Sequence, residues 1–271
     1  MFRKARLALE QAKALDPGLG AEVRGTRGFI ASRELSWIEA HEDFQYALEH
    51  APENADIHGS FSEFLSRVGH NALSLEQAKI ARELDSLSPV INARLSLAYL
   101  WVDDQDAATR QWAIQDELGF KGSEGYAGYW RTYLLMLLRQ GDAVLAKEAL
   151  AHHQQEAGLP VEPVLPLIDA ILDPRLRDRA VQSAGQIAKE GTVAPALQLP
   201  MWILLDELDA AYTSFHALEA TPWDINIPFI FAHESHRFRA DPRFEQLMED
   251  VGLAAYWDQY GPPDTRGGIE R

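Results

Sequence analysis

The chain has 271 residues, 46% hydrophobic and 24% charged, which is enough apolar material for a large core and too much for a globally disordered chain. Its 41 acidic residues against 25 basic ones give a net charge of -16, which repels a phosphate backbone and sets aside direct nucleic-acid binding. Cysteine is absent, so disulfides, thiolate zinc sites and cysteine nucleophiles are excluded.

In chain order, the first segment, MFRKARLALEQAKALDPG, is charged and helix-patterned, without the continuous apolar stretch of a secretory leader. The longest apolar run, 133–138, is far too short to cross a bilayer. These features point to a cytoplasmic protein with no membrane partner. Three stretches then close alike: ALEQAKALDP (8–17), QYALEHAP (45–52) and QAKIARELDS (77–86). Each is a run of helix formers with alanine on one face, and the stops at Pro17, Pro52 and Ser86 recur at a nearly constant interval.

The spacing inside each unit repeats as well. Gly28, Ala40, Phe44, Ala47 and Pro52 mark the first complete unit. Phe61, Ser62, Leu65, Gly69, Ser74, Ala78 and Ala81 mark the second, and Leu95, Ser96, Tyr99, Ala108 and Trp112 the third. A fourth, slightly out of phase, carries Trp130, Tyr133, Gly141, Ala146 and Leu150. The pattern resembles the tetratricopeptide repeat, a unit of about 34 residues made of two antiparallel helices that cannot bury their apolar faces alone. The resemblance gives roles to these places. Small residues let the two helices approach, the aromatic fills the gap between them, and the next alanine receives the following repeat.

Two weaker helix pairs follow, at 162–172 with 174–190 and at 193–205 with 206–220; Pro166, Pro195 and Pro200 predict short, kinked or shifted first helices. No window alternates with period two, so no sheet is expected. The expected fold is therefore all-α, an α–α superhelix of about six helix pairs over residues 1–221, with a small helical cap and tail over 222–271. By register, Ala5, Leu9, Ala12 and Pro17 belong to a second helix whose partner would precede Met1. That leaves an apolar stripe to be covered by more of a longer protein, by another chain or by an altered cap.

After Thr221 the period stops. Asp241 with Pro242 starts a helix that Gly252 closes, and a second short helix over 254–260 ends in Gly261-Pro262-Pro263. The string Asp241-Pro242-Arg243-Phe244, then Val251-Gly252-Leu253, Tyr256-Trp257 and Pro263-Asp264, resembles the ending of a bacterial family. Its members carry tetratricopeptide arrays behind a winged-helix transcription-activator domain or a class III adenylate cyclase domain. LDSLSPVINARLSLAYL (84–100) resembles the middle of those arrays. The resemblance implies a sensory or interaction half, since neither a basic recognition helix nor cyclase metal-binding aspartates are present in this sequence.

Candidate chemistry is sparse. His233-Glu234-Ser235-His236 has one residue too few after the glutamate for a zincin helix. His152-His153 points to two sides of a helix. The acidic groups at Asp103, Asp104 and Asp106 and at Glu249 and Asp250 sit at helix ends, where carboxylates cap amides. No phosphate loop, nucleophile elbow or dinucleotide fingerprint appears, so the expectation is a protein that is not an enzyme and carries no cofactor or metal.

Trp37, Trp112 and Trp130 fall at packing positions. Arg33, Arg67 and Trp101 share one repeat position in successive units, with Arg139 equivalent in the fourth unit and Arg131 two turns earlier on the same helix. By family analogy that position borders the concave groove, where arginines and aromatics suit an acidic or carboxylate-bearing peptide. Where some relatives clamp a carboxylate with asparagine, this chain has Phe29, Glu63, Leu97 and Leu135. With Leu100 and Leu138, these suggest a partly apolar groove for an internal segment or for the protein's own tail folded back. The candidate groove residues are thus Phe29, Arg33, Glu63, Arg67, Leu97, Trp101, Arg131 and Arg139. The expected partners are a protein or peptide in the groove and, through the uncovered first helix, a second copy. A ligand sensor holding a small molecule in the same groove is the alternative.

Overall fold

The computed structural model describes residues 2–15, 20–119, 129–156, 158, 160–191, 195–218 and 227–264. Every regular element among them is helical. The order is α1 (Phe2–Leu15), α2 (Gly20–Arg33), α3 (Trp37–His50), α4 (Ala55–Arg67), α5 (Asn71–Leu84), α6 (Pro89–Trp101), α7 (Gln105–Glu117), α8 (Tyr129–Gln140) and α9 (Ala143–Glu156). There follow α10 (Leu165–Leu172), α11 (Arg177–Lys189), α12 (Pro195–Leu204), α13 (Leu208–Leu218), α14 (Ile227–Ile230), α15 (His236–Ala240), α16 (Arg243–Asp250) and α17 (Leu253–Tyr260).

The repeat is written into the turns. Between the two helices of a pair, one residue takes the left-handed conformation at Leu35, Gly69, Asp103, Gly141 and Asp206. The next amide then reaches back along the chain: Ser36 N to Ala31 O at 2.9 Å, His70 N to Leu65 O at 2.9 Å, Asp104 N to Tyr99 O at 3.0 Å, Asp142 N to Leu137 O at 3.0 Å and Glu207 N to Trp202 O at 2.8 Å. This bond satisfies a carbonyl that the ending helix would otherwise leave unpaired. Between pairs, Asn54 caps α4 by accepting from the amides of Asp56 and Ile57, and Ser88, one repeat later, caps α6 by accepting from Ile91 N.

Small residues set how closely the paired helices approach. A Cβ on Gly28 would lie 3.0 Å from Ala40 O, so α2 and α3 touch there through backbone. At the equivalent places Ser62 bonds to Ser74, and Ser96 donates to Ala108 O across the pair. Ala47 and Ala81 are fully buried, beside Gly25 and Gly59 of their own pairs. Asp43, buried on α3, is held by Arg24 and Arg27 of α2, so its charge is answered inside the first pair.

Successive pairs stack, with α2 against α4, α4 against α6, and α6 against α8. One continuous apolar core runs from Ala21 to Tyr256. The α10–α11 and α12–α13 pairs carry the array onward, with Pro200 inside α12. At the other end α1 packs on α2, where Arg6 pairs with Glu34 at 2.5 Å; Leu7 and Leu15 of α1 stay exposed. Beyond α13 the chain turns back. Asp241 accepts from Arg243 N at 2.9 Å to start α16, Gly252 turns left-handed after it, and α17 packs against α3. No helix among the described residues is long and apolar enough to cross a membrane.

Candidate partner-binding cleft

The first helices of the leading repeats, α2, α4 and α6, lie side by side. Between them opens a cleft of about 310 Å³, lined by Glu22, Gly25, Thr26, Phe29, Asn54, Asp56, Ile57, Ser60 and Arg94. Its apolar walls are Phe29 from α2 and Ile57 from α4. Gly25 lets the helices meet, since a Cβ there would stand 3.1 Å from Ile57. The carboxylates of Glu22 and Asp56 are exposed at its mouth.

The next turn of these helices carries an ion network. Glu63 pairs with Arg33 on one side and with Arg94, at 3.3 Å, on the other, all three side chains being largely buried. Burial pushes the Glu63 carboxyl up, but the guanidiniums of Arg33, Arg94 and Arg67 outweigh it and hold it below the usual carboxylate range. Gly59 makes room for the crossing: the Arg94 Nη1 atom lies 3.1 Å from where its Cβ would stand. The Arg33 guanidinium also covers the Phe29 ring at 4.9 Å.

Of the residues singled out from sequence, Phe29, Arg33 and Glu63 therefore come together beside the cleft, and Leu97 is half-buried on α6. Their repeat-mates sit elsewhere. Arg67 is 2% exposed, lies over the Trp37 ring at 5.7 Å and donates to Ser32 O at 3.3 Å. Trp101 is buried in the core. Arg139 grips Glu234 through two bonds of 2.6 and 2.9 Å and donates to Leu100 O at 2.9 Å. Arg131 falls on α8, but its side chain, like that of Trp130, lies outside the described residues. Trp112 stacks on Tyr133 at 4.8 Å and Trp37 is buried. His233 and His236 are exposed, and Glu234 beside them is committed to Arg139.

Several cleft residues escaped the sequence reading. Thr26, Ser60 and Arg94 also recur once per repeat, each about one helical turn before Phe29, Glu63 and Leu97. The same period could have found them. What it does not contain is that Arg94 crosses a repeat boundary to reach Glu63.

The stacking of helical pairs, with the same turn recurring in five of them, decides the architecture. The fold is a tetratricopeptide solenoid. Solved structures agree. A tetratricopeptide repeat protein from Parabacteroides merdae superposes with a TM-score of 0.54 at 15% identity, over 85% of this chain and 91% of that one. PilF of Pseudomonas aeruginosa superposes with a TM-score of 0.50 at 16% identity, over 82% and 97%. No family model matches the sequence, and no curated protein matches it.

Proposed function

We propose that this solenoid is a non-enzymatic scaffold that binds a segment of a partner protein in the cleft between α2 and α4. The observation that carries this reading is the cleft itself: apolar walls at Phe29 and Ile57 under a polar mouth, between the first helices of successive repeats. Helical repeat proteins bind their partners through extended concave surfaces. With Arg33 engaged by Glu63, and with the Glu22 and Asp56 carboxylates exposed, a segment offering an apolar side chain beside a basic one fits better than the acidic peptide suggested by the arginine row. Leu97 of α6 then extends the binding face, while Arg67 and Trp101 pack beneath the repeats and Arg139 holds the tail. The tail string from Asp241 to Asp264 supports a place in a bacterial signalling or transcription regulator of the cytoplasm, as its interaction half.

A photo-crosslinking residue at Ser60, on the cleft wall, should capture a defined partner in cells that the same residue at exposed Glu76 on α5 does not. Filling the cleft with Gly25→Phe should remove that adduct. Identical adducts from both positions would refute the cleft. The cleft volume also sits at the lower end of small-molecule sites. A small ligand is thus the second reading, and it predicts a thermal shift with that ligand that Gly25→Phe abolishes.

A further inference from the structure

The segment after α13 touches both ends of the array. At the far end, Tyr212 of α13 donates to Phe238 O at 3.0 Å, Arg243 pairs with Asp209 at 2.7 Å, and Arg237 pairs with Asp206. At the near end the segment lies along the turns of the first two complete repeats. Trp37 Nε1 donates to Val251 O at 2.7 Å, and Trp257 Nε1 donates to Val68 O at 2.8 Å. Asp264 accepts from Ala72 N at 2.7 Å, and its amide donates to Gly69 O at 3.0 Å.

Two buried histidines complete this near end. His41 Nδ1 meets the Tyr256 hydroxyl at 2.8 Å, and its ring stacks on Tyr260 with centroids 3.8 Å apart. His70 Nε2 bonds to Gly261 O at 2.9 Å. We propose that residues 253–264 form an acid-released clasp, in which neutral His41, beside the His70–Gly261 contact, fastens the tail to the first repeats and so holds the two ends of the solenoid together. The clasp is independent of what the cleft between α2 and α4 binds.

The chemistry of the pocket favours the neutral His41 ring. Burial pushes the Tyr256 phenol well above its ordinary value, so its O–H is available to donate and Nδ1 of His41 to accept. His70 must donate from Nε2 to the Gly261 carbonyl. Its Nδ1 is buried with no hydrogen-bond partner. Around His41 stand Phe61 and Phe64 from α4, His70 from the turn after α4, and Tyr256 and Tyr260 from α17. The charged groups nearby serve other partners: Arg67 lies over Trp37, Asp264 accepts from Ala72, and Glu42 acts on Tyr260. Burial, with a smaller contribution from the His70 charge, lowers His41 to about 4. The released state therefore takes up a proton below about pH 6.5 that the closed state refuses. The clasp is at full strength above that pH and weakens down to about pH 4.

Amide hydrogen exchange of the whole chain, corrected for intrinsic rates, tests this between pH 7.5 and 5.0. Protection over 253–264 should fall about tenfold per pH unit below 6.5 while α6 and α7 keep theirs. In His41→Asn/His70→Gln the dependence should vanish, although exposed His233 and His236 remain. A flat profile in the unmodified chain, or an unchanged slope in the double variant, would overturn the clasp. Should the double variant not fold, imidazole resonances of the unmodified chain decide. An ordinary titration of His41 while the 253–264 amides stay protected would equally overturn it.

Discussion

Gly69 shows how one position can carry two demands. Its backbone is left-handed, φ 82°, like the equivalent Leu35 and Asp103, so the turn alone accepts a side chain. What forbids one here is the tail: a Cβ would stand 2.6 Å from Pro263 Cβ and 3.0 Å from the Phe231 ring. Gly69→Ala should therefore cost about 2–4 kcal/mol through overpacking added to backbone strain. Asp103→Ala, in the same backbone conformation without that neighbour, should cost far less, as paired urea melts would measure. Equal losses would mean that the turn, rather than the tail, sets the requirement. Arg67 makes a related point. It shares a register with Arg33, yet one reaches Glu63 while the other is buried over Trp37. Register fixes which way a residue points, and the neighbouring elements fix what it meets.

At the level of the element, the leading helix pairs were legible because each depends on local chemistry that returns from unit to unit. Caps, small residues and left-handed turns all act within one or two turns of chain. Asn54 illustrates the scale: its side chain satisfies two amides of α4. Asn54→Ala should cost about 1 kcal/mol, and Asn54→Ser much less, by thermal or urea unfolding. The cleft was half legible. Phe29, Arg33 and Glu63 follow from the repeat, while the reach of Arg94 from α6 to Glu63 depends on how repeats rotate against each other. The tail's course was the least readable. His41 and His70 occupy different repeat positions, and their partners Tyr256 and Gly261 lie beyond the periodic region, so no local pattern records the contact.

For the molecule as a whole, Arg139 ties the tail to the middle of the array through Glu234. Burial pushes the Glu234 carboxyl up, but Arg139 outweighs it and lowers it below the ordinary carboxylate value. This bond therefore adds stability above about pH 4.5 that is lost as pH falls through the lowered value, a lower window than that of His41. Arg139→Met should erase the lower step in a pH series of urea melts and leave the upper one intact. Loss of both together would mean that the tail responds as one unit. An open helical array has a stability close to a sum over neighbours, and it tolerates one unit more or fewer. Here the tail is joined to the leading repeats, as by Trp257 on Val68. The sum acquires a boundary condition. Excising a single repeat would move both anchor points relative to each other and leave the bridging segment at the wrong span, so the number of repeats in this protein is set by geometry and cannot drift freely.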